Sequence, residues 1–535
     1  MRLRVGEGLL RLEAVGGVKA LGYPNIESYC REALGRNGRW GTDVRGLARR
    51  LSTLPKLRAA MVTGLLNASM VELVARVATP LDEADWIAKA ATMNVRAMRA
   101  ELTRRRIETI DDAAPERVAI ATTVDQLDAW AFERAKLMVE AVGGVKGEDA
   151  IEAMLAEGFT EILAQVPDFD LPSTLTPRGL EELRSERAEY RALREEAEAI
   201  TNAIVPIEPP PVYPSEPEID WPDDLAGIDA RLRVVAQELA WRDLELAVLG
   251  KRCDDHAIWL RHGFASWDHY CRDWIGVAPS VMASRLALAK RMTGLVEIAS
   301  AMADGRIGFE SAATIARVAN KATVAAWIER AATRTVKHLR EEVAAVELIA
   351  RAEGRAVGSP PDDETIEAVR DLERSVLAEV SDQAVGRMSG GTTDDVVAVG
   401  SDLPTSSVRI SVSEDLGRFW RALESVHAGL SNGAESFVAF LARATAKAWA
   451  GVVDRDVAYA PIYLRDRWRC VSPVCTRRNV TPHHVKFRSH GGGDEADNVI
   501  ALCEVCHLEL VHGGRLTILG RAPRALRWIA AGWAS

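Results

Sequence analysis

The sequence has no run of eighteen or more uncharged apolar residues, which argues against a membrane-spanning helix. Its opening residues, MRLRVGEGLLRLEAVGG, contain acids and no long apolar stretch. A secretory signal is therefore not expected, and a cytoplasmic location follows by default. Aromatic residues make up only 6% of the 535 residues. Cysteine is scarce as well: Cys30, Cys253, Cys271, Cys470, Cys475, Cys503 and Cys506. A chain this long without a signal does not read as a disulfide scaffold. Positive charge is in deficit, the net being −10, which on its own argues against a nucleic-acid partner. The distribution says otherwise. Asp454 to Ser535 carries twelve Lys/Arg against eight Asp/Glu, so this tail is +4 and everything before it −14. An acidic body with a basic tail is compatible with DNA contact confined to the tail.

Alanine, arginine, leucine and glutamate dominate what is present, which favours helix over sheet, and the length calls for three to four domains. The expected fold class is mainly α and multidomain. It comprises tandem-duplicated helical domains followed by a small α+β C-terminal domain.

The duplication is read from a fixed offset. LGYPNIESYCREALG (21–35) matches HGFASWDHYCRDWIG (262–276), and the offset of 241 holds without a gap for roughly 80 residues. Leu47-Ala48-Arg49-Arg50 faces Leu288-Ala289-Lys290-Arg291, and Trp86-Ile87 faces Trp327-Ile328. Apolar residues at three- and four-residue intervals predict about five short helices per copy. Gly35 and Gly276 mark helix ends, and Pro279 the next start. Trp274 to Met292 has the length of a helix-turn-helix that would expose Ser284, Arg285, Lys290 and Arg291. It reads either as a DNA-docking helix or as a bundle helix with a solvated basic face. Cys30 and Cys271, at matched positions, read as core thiols.

The domains are expected at 1–110 (helical copy one), 111–200 (charged helical connector), 201–227 (proline-rich linker) and 228–350 (helical copy two). Then follow 351–407 (linker and helical segment), 408–453 (a small connector with a strand at VRISVS) and 454–535. The linker holds six prolines between Pro206 and Pro217 and should be extended.

Chemistry concentrates in WRCVSPVCTRRNVTPHHVKFRSHGGGDEADNVIALCEVCHLELVH, residues 468–512. Cys470-x4-Cys475 and Cys503-x2-Cys506 are two short-spaced knuckles, the pattern of a closed structural Zn²⁺ site. His483-His484 begins a strand-like segment, and a triple-glycine loop returns the chain to Asn498-Val499-Ile500-Ala501-Leu502. Adjacent strand residues point to opposite faces, so His483 and His484 cannot do the same job. His507, on the following helix, can reach the first face.

These residues resemble the HNH nucleases: HHV (483–485), Asn498 and Cys506-His507 fill the His-Asn-His slots in order. The resemblance implies a zinc-stabilised ββα-metal fold and a metal-dependent endonuclease acting on DNA, with His484 as general base and Asn498 pinning the hairpin loop that orients it. It implies His483 and His507 as ligands of one divalent ion, with His512 an open candidate five residues on. Where an aspartate is frequent in the family this chain has His483, so Mg²⁺, Mn²⁺, Zn²⁺, Ni²⁺ and Co²⁺ are not distinguished. Arg477, Arg478, Lys486 and Arg488 are candidate phosphate contacts or a solvated basic face. His490 fills no slot. A zinc-stabilised binding module without cleavage and a helical interaction scaffold are the alternative readings. Oligomeric state is not legible.

Overall fold

The computed structural model describes the chain except residues 110–116, 167–220, 355, 389–404, 457–458, 479 and 534–535. The Glu/Arg-rich stretch at 179–204 and most of the proline-rich linker therefore lie outside the described residues, as does most of the break read at 386–407. The described chain is mostly helical, with its small sheets in the second of two compact units. One unit is Met1–Ala113 with Arg187–Leu339, and the other is Ala114–Glu186 with Arg340–Ser535. No helix among the described residues is long and apolar enough to cross a membrane.

The first unit holds both helical segments. The earlier one runs through helices Arg2–Ala14, Gly17–Ala20, Ile26–Glu32, Gly38–Leu51, Pro55–Val62, Ala68–Val74, Glu83–Ala91 and Val95–Thr109. The later one runs Leu225–Asp255, Ile258–Arg261, Trp267–Tyr270 (continued by a π-helical turn, Cys271–Ile275), Pro279–Gly294, Val296–Ala303, Phe309–Ile315, Val324–Thr333 and the start of Val336–Ala352, whose residues from Arg340 on belong to the second unit. Local chemistry sets their ends. The Asn25, Asn67 and Ser266 side chains cap the helices that follow them, and Pro55 and Pro279 sit in first turns, where no N–H is needed. Apolar side chains such as Leu51, Leu57, Val74, Trp86 and Met98 close the earlier core. Cys30 and Cys271 are both fully buried, and burial pushes both thiols up to about 12.

Arg285 corrects the expectation for the helix-turn-helix segment. Ser284, Lys290 and Arg291 are exposed, but Arg285 is buried. Periodicity cannot reveal the reason, which is a buried carboxylate on another helix. Asp243 pairs with Arg285 at 3.0 Å and with Arg36 at 2.5 Å, all three being less than 10% exposed. Burial outweighs the attraction for Arg285 and draws its guanidinium down to about 10. Removing one partner of such a cluster strands the others, typically at about 3–5 kcal/mol. Asp243→Ala should therefore lower unfolding stability by roughly 3–5 kcal/mol, read by urea denaturation; a loss under 1 kcal/mol would contradict the account.

The second unit contains a two-stranded antiparallel sheet, β1 (Arg117–Asp125) with β2 (Thr405–Ser413), in register from Arg117↔Ser413 to Asp125↔Thr405. The stretch read as a charged helical connector thus also holds a strand. Helices Gln126–Gly143, Glu148–Gln165, Glu414–Ser431 and Phe437–Asp456 bury Phe132, Met154, Trp420 and Leu441 against it. Helix Asp363–Met388 completes this body. After helix Ala460–Arg465 come hairpin β3 (Val480–His484) with β4 (Val499–Cys503), a 3₁₀ turn Arg488–His490 between its strands, a π-helical segment Val505–Val511, and hairpin β5 (Thr517–Arg521) with β6 (Ala525–Ile529).

Candidate metal and nuclease site

The β3–β4 hairpin places the chemistry. Its register pairs His483 with Ile500 and His484 with Val499. The two-residue period of a strand sends the histidines to opposite faces. His483 is 1% exposed, whereas His484 is half-buried.

On one side of this module, Cys470, Cys475, Cys503 and Cys506 are all buried, with their sulfurs within 4.8 Å of one another. Cys475 and Cys503 Sγ lie 3.7 Å apart, too far for a disulfide. A tetrahedral ion with bonds of about 2.3 Å needs sulfurs about 3.8 Å apart. The four thiols fit a structural zinc-like site. The Cys506 N–H points at Cys503 Sγ, 3.5 Å away, and Cys470 N–H donates to the Arg477 carbonyl, closing the two knuckles.

The second cluster is His483, His507 and His512, whose ring nitrogens lie within 4.8 Å of one another. His512 joins it because of the helix winding. A five-residue step overshoots one face of an α-helix, but Val505–Val511 is π-helical, and His512 N–H donates to the His507 carbonyl at 3.1 Å. The His507 and His512 rings are 5.0 Å apart, and Phe487 stacks on His512 at 5.3 Å. Burial, with help from the other histidines, pushes His483 down to about 3, so it stays neutral and offers a lone pair. Thr481 settles the His507 tautomer. Its hydroxyl donates to the Leu502 carbonyl at 3.1 Å and so accepts from His507 Nδ1 at 2.9 Å, leaving Nε2 free as a ligand atom.

His484 sits in a different network. Its Nε2 is 2.6 Å from Asp494 Oδ1, and Asp494 also accepts from Arg488 Nη2 at 2.6 Å and from the Tyr459 hydroxyl at 3.1 Å. Arg488 first, then His484, hold the Asp494 carboxyl down at about 2. Arg488 Nε–H points at the same ring nitrogen from 3.2 Å, so the carboxylate and the guanidinium both meet the His484 ring at Nε2. Asn498 clasps the loop: its Oδ1 accepts from Lys486 N–H at 2.8 Å, and its Nδ2 donates to the Lys486 and Gly493 carbonyls at 3.1 and 2.8 Å. Gly492 is required in that loop, because a Cβ there would stand 1.8 Å from the Lys486 carbonyl oxygen.

Of the basic candidates, the structure brings only Arg488 to a histidine, its Nε lying 3.2 Å from His484 Nε2. Arg478 is ion-paired with Glu133 at 2.5 Å, Lys486 is exposed beside the Asn498 clasp, and Arg477 contributes its carbonyl to the cysteine knuckle. Sequence reading missed Thr481, Asp494 and Tyr459. Thr481 was findable, being two residues before His483 and so on the same strand face. Asp494, in an irregular loop, and Tyr459, 25 residues before His484, carry no such signal.

Residues 469–512 match the family model described as HNH endonuclease. This segment is an HNH domain. No curated protein and no solved structure matches the chain. An HNH domain marks a nuclease or nucleic-acid-binding function, and the four-cysteine cluster lies within this one. A structural ion held by four thiolates is worth about 10–16 kcal/mol apparent in zinc-finger peptides, enough to fold a module this small. Purified protein should hold tightly bound zinc, and Cys503→Ser should lose that ion and unfold the HNH domain while the helical signal of the body persists. Elemental analysis with circular dichroism reads both; an unchanged zinc content would contradict the assignment.

Proposed function

We propose that this protein is a metal-dependent endonuclease that hydrolyses DNA phosphodiester bonds at its HNH domain, with His484 as the general base. The observation that carries the reading is the division of labour across β3. His483, with His507 and His512, forms a cluster of three imidazoles, while His484 opens to the other face with its Nε2 held by Asp494. Two such groups on one rigid strand suit a phosphodiester held between an electrophile and a base.

His484 takes the proton from the attacking water at Nδ1. Asp494 holds the ring by Nε2 and stabilises the imidazolium that forms, as carboxylates do for catalytic histidines elsewhere. Asn498 acts through the loop, keeping strand and loop in register so that the Asp494–His484 contact survives. Arg488, exposed beside His484, is the group best placed to meet a phosphate oxygen. His483, His507 and His512 are the candidate ligands of one divalent ion; when bound, that ion would polarise the phosphoryl oxygen and offset charge on the leaving oxygen. Two or three nitrogen donors favour Zn²⁺, Ni²⁺ or Co²⁺ more than a carboxylate site would, but Mg²⁺ and Mn²⁺ stay in the panel.

The test is cleavage of supercoiled plasmid with a panel of divalent cations, run beside His484→Ala. Loss of a general base costs typically about 10²–10⁴-fold in rate, so the variant should fall by that factor while still retaining plasmid in a binding assay. No cleavage with any metal, with DNA binding intact, would leave the domain a binding module and overturn the proposal.

A further inference from the structure

We propose that the chain is folded as an internal two-fold pair. The face each copy would use to bind its like is already taken by the other copy, so one polypeptide works as a monomer with a single cleavage centre and nicks one strand at a time. The last clause rests on the nuclease reading; the pairing does not.

In the first unit the two helical segments agree in their boundaries, not only in their residues. Pro55–Val62 and Val296–Ala303, and Ala68–Val74 and Phe309–Ile315, match at both ends with an offset of 241. The left-handed glycines repeat at the same offset: Gly22 with Gly263, Gly35 with Gly276, Gly64 with Gly305. Two contacts between the copies recur with the roles exchanged, the mark of an isologous interface. The Glu32 carboxylate accepts the backbone N–H of Val336 at 2.6 Å and of Lys337 at 3.3 Å, capping a helix of the later copy. Its counterpart Asp273 accepts the N–H of Val95, capping the equivalent helix of the earlier copy. Likewise a Cβ on Gly35 would stand 2.8 Å from Gly308 Cα, while one on Gly276 would stand 3.2 Å from Asn67 Cβ. Glycine is needed there both for its positive φ and for the close approach.

The second unit repeats this arrangement with an offset of 288, where the sequence gives no hint of it. Strand–helix–helix 117–165 has its counterpart in 405–456, and the first helices coincide at both ends, Gln126–Gly143 and Glu414–Ser431. Both end in a left-handed residue, Gly144 and Asn432. The β1–β2 register is centred on Ala121↔Arg409, so the middle residue pairs with its own counterpart. Nearly two turns into the helices the same happens to side chains: Phe132 meets its equivalent, Trp420, edge to face at 6.2 Å. Self-pairing of equivalent positions in a strand and in a helix places a two-fold axis between them.

Only one copy leads into an HNH domain. After the later strand–helix–helix comes 469–512; after the earlier one, residues 167–224 contain neither histidine nor cysteine. A two-fold body carrying two such centres would be suited to breaking both strands. This one has the body of a dimer and one centre.

Two measurements on the full chain test this. Sedimentation at micromolar concentration should give one species at the chain mass of 58.3 kDa. On plasmid, open circles should form first order in protein, with linear DNA appearing only after they accumulate. A species of twice the mass, or linear DNA as a primary product, would overturn the proposal. If no metal supports cleavage, the nuclease reading fails and the mass still judges the pairing. Glu32→Gln and Asp273→Asn supply an independent check: each should lower the melting temperature by a similar amount, roughly 2–4 °C. One silent and one costly substitution would contradict a reciprocal interface.

Discussion

The convergence of four cysteine sulfurs is the constraint on which the HNH domain depends. A two-stranded hairpin is marginal alone in water, and the apolar side chains of this module, Ile500, Leu502, Leu510, Leu516 and Ile518 among them, pack around the thiols. Cys470 and Cys475 come from before β3, Cys503 ends β4, and Cys506 sits in the π-helical segment. Tying these four points together therefore fixes the register of β3 on β4. That register decides the chemistry, because a slip by one residue would exchange the faces of His483 and His484. The histidine cluster and His484 are set by the same constraint from opposite sides of one strand.

The domain is also anchored to its own unit under strain. Arg467 and Trp468 both hold left-handed backbone, φ 58° and 50°, which costs non-glycine residues about 1–3 kcal/mol each. Their side chains account for its persistence. Arg467 pairs with Glu373 at 3.0 Å and Glu341 at 3.2 Å, and Arg469 pairs with Glu373 as well. The Arg134 guanidinium lies 3.7 Å over the Trp468 ring. Asp466 then accepts the Ala501 N–H at 2.8 Å, passing this anchorage directly into β4. The reactive strand is thus held by the body and by the thiols together, the rigidity a preorganised site needs.

Much of the site was legible in sequence because its rules are local. Cysteine spacing marked the knuckles, and the strand period separated His483 from His484. Where the geometry departs from ideal elements, the signal failed. His512 stayed an open candidate because a five-residue step overshoots one face of an α-helix, whereas the π-helical turn lets it land there. Arg285 looked exposed because periodicity records neighbours along a helix and not Asp243 on another. Strand β1 was hidden by its distance from its partner: VAIATTVD pairs with a strand 288 residues on, and such pairing leaves no local trace. The same distance hid the second internal pairing, whose few shared features are caps, register and one aromatic contact. The 241-residue repeat was plain in the residues, but its reciprocal contacts became visible only in three dimensions.

The central claim is that one hairpin serves two metal sites with separate work, a closed one holding the fold and a histidine one meeting the phosphate. Anomalous diffraction at the zinc edge from crystals of the intact chain tests it directly. The account predicts two peaks, one about 2.3 Å from the four sulfurs and one about 2.0–2.1 Å from nitrogens of His483 and His507, with His512 completing it. A peak at the cysteines alone, persisting after soaking in excess metal, would contradict it.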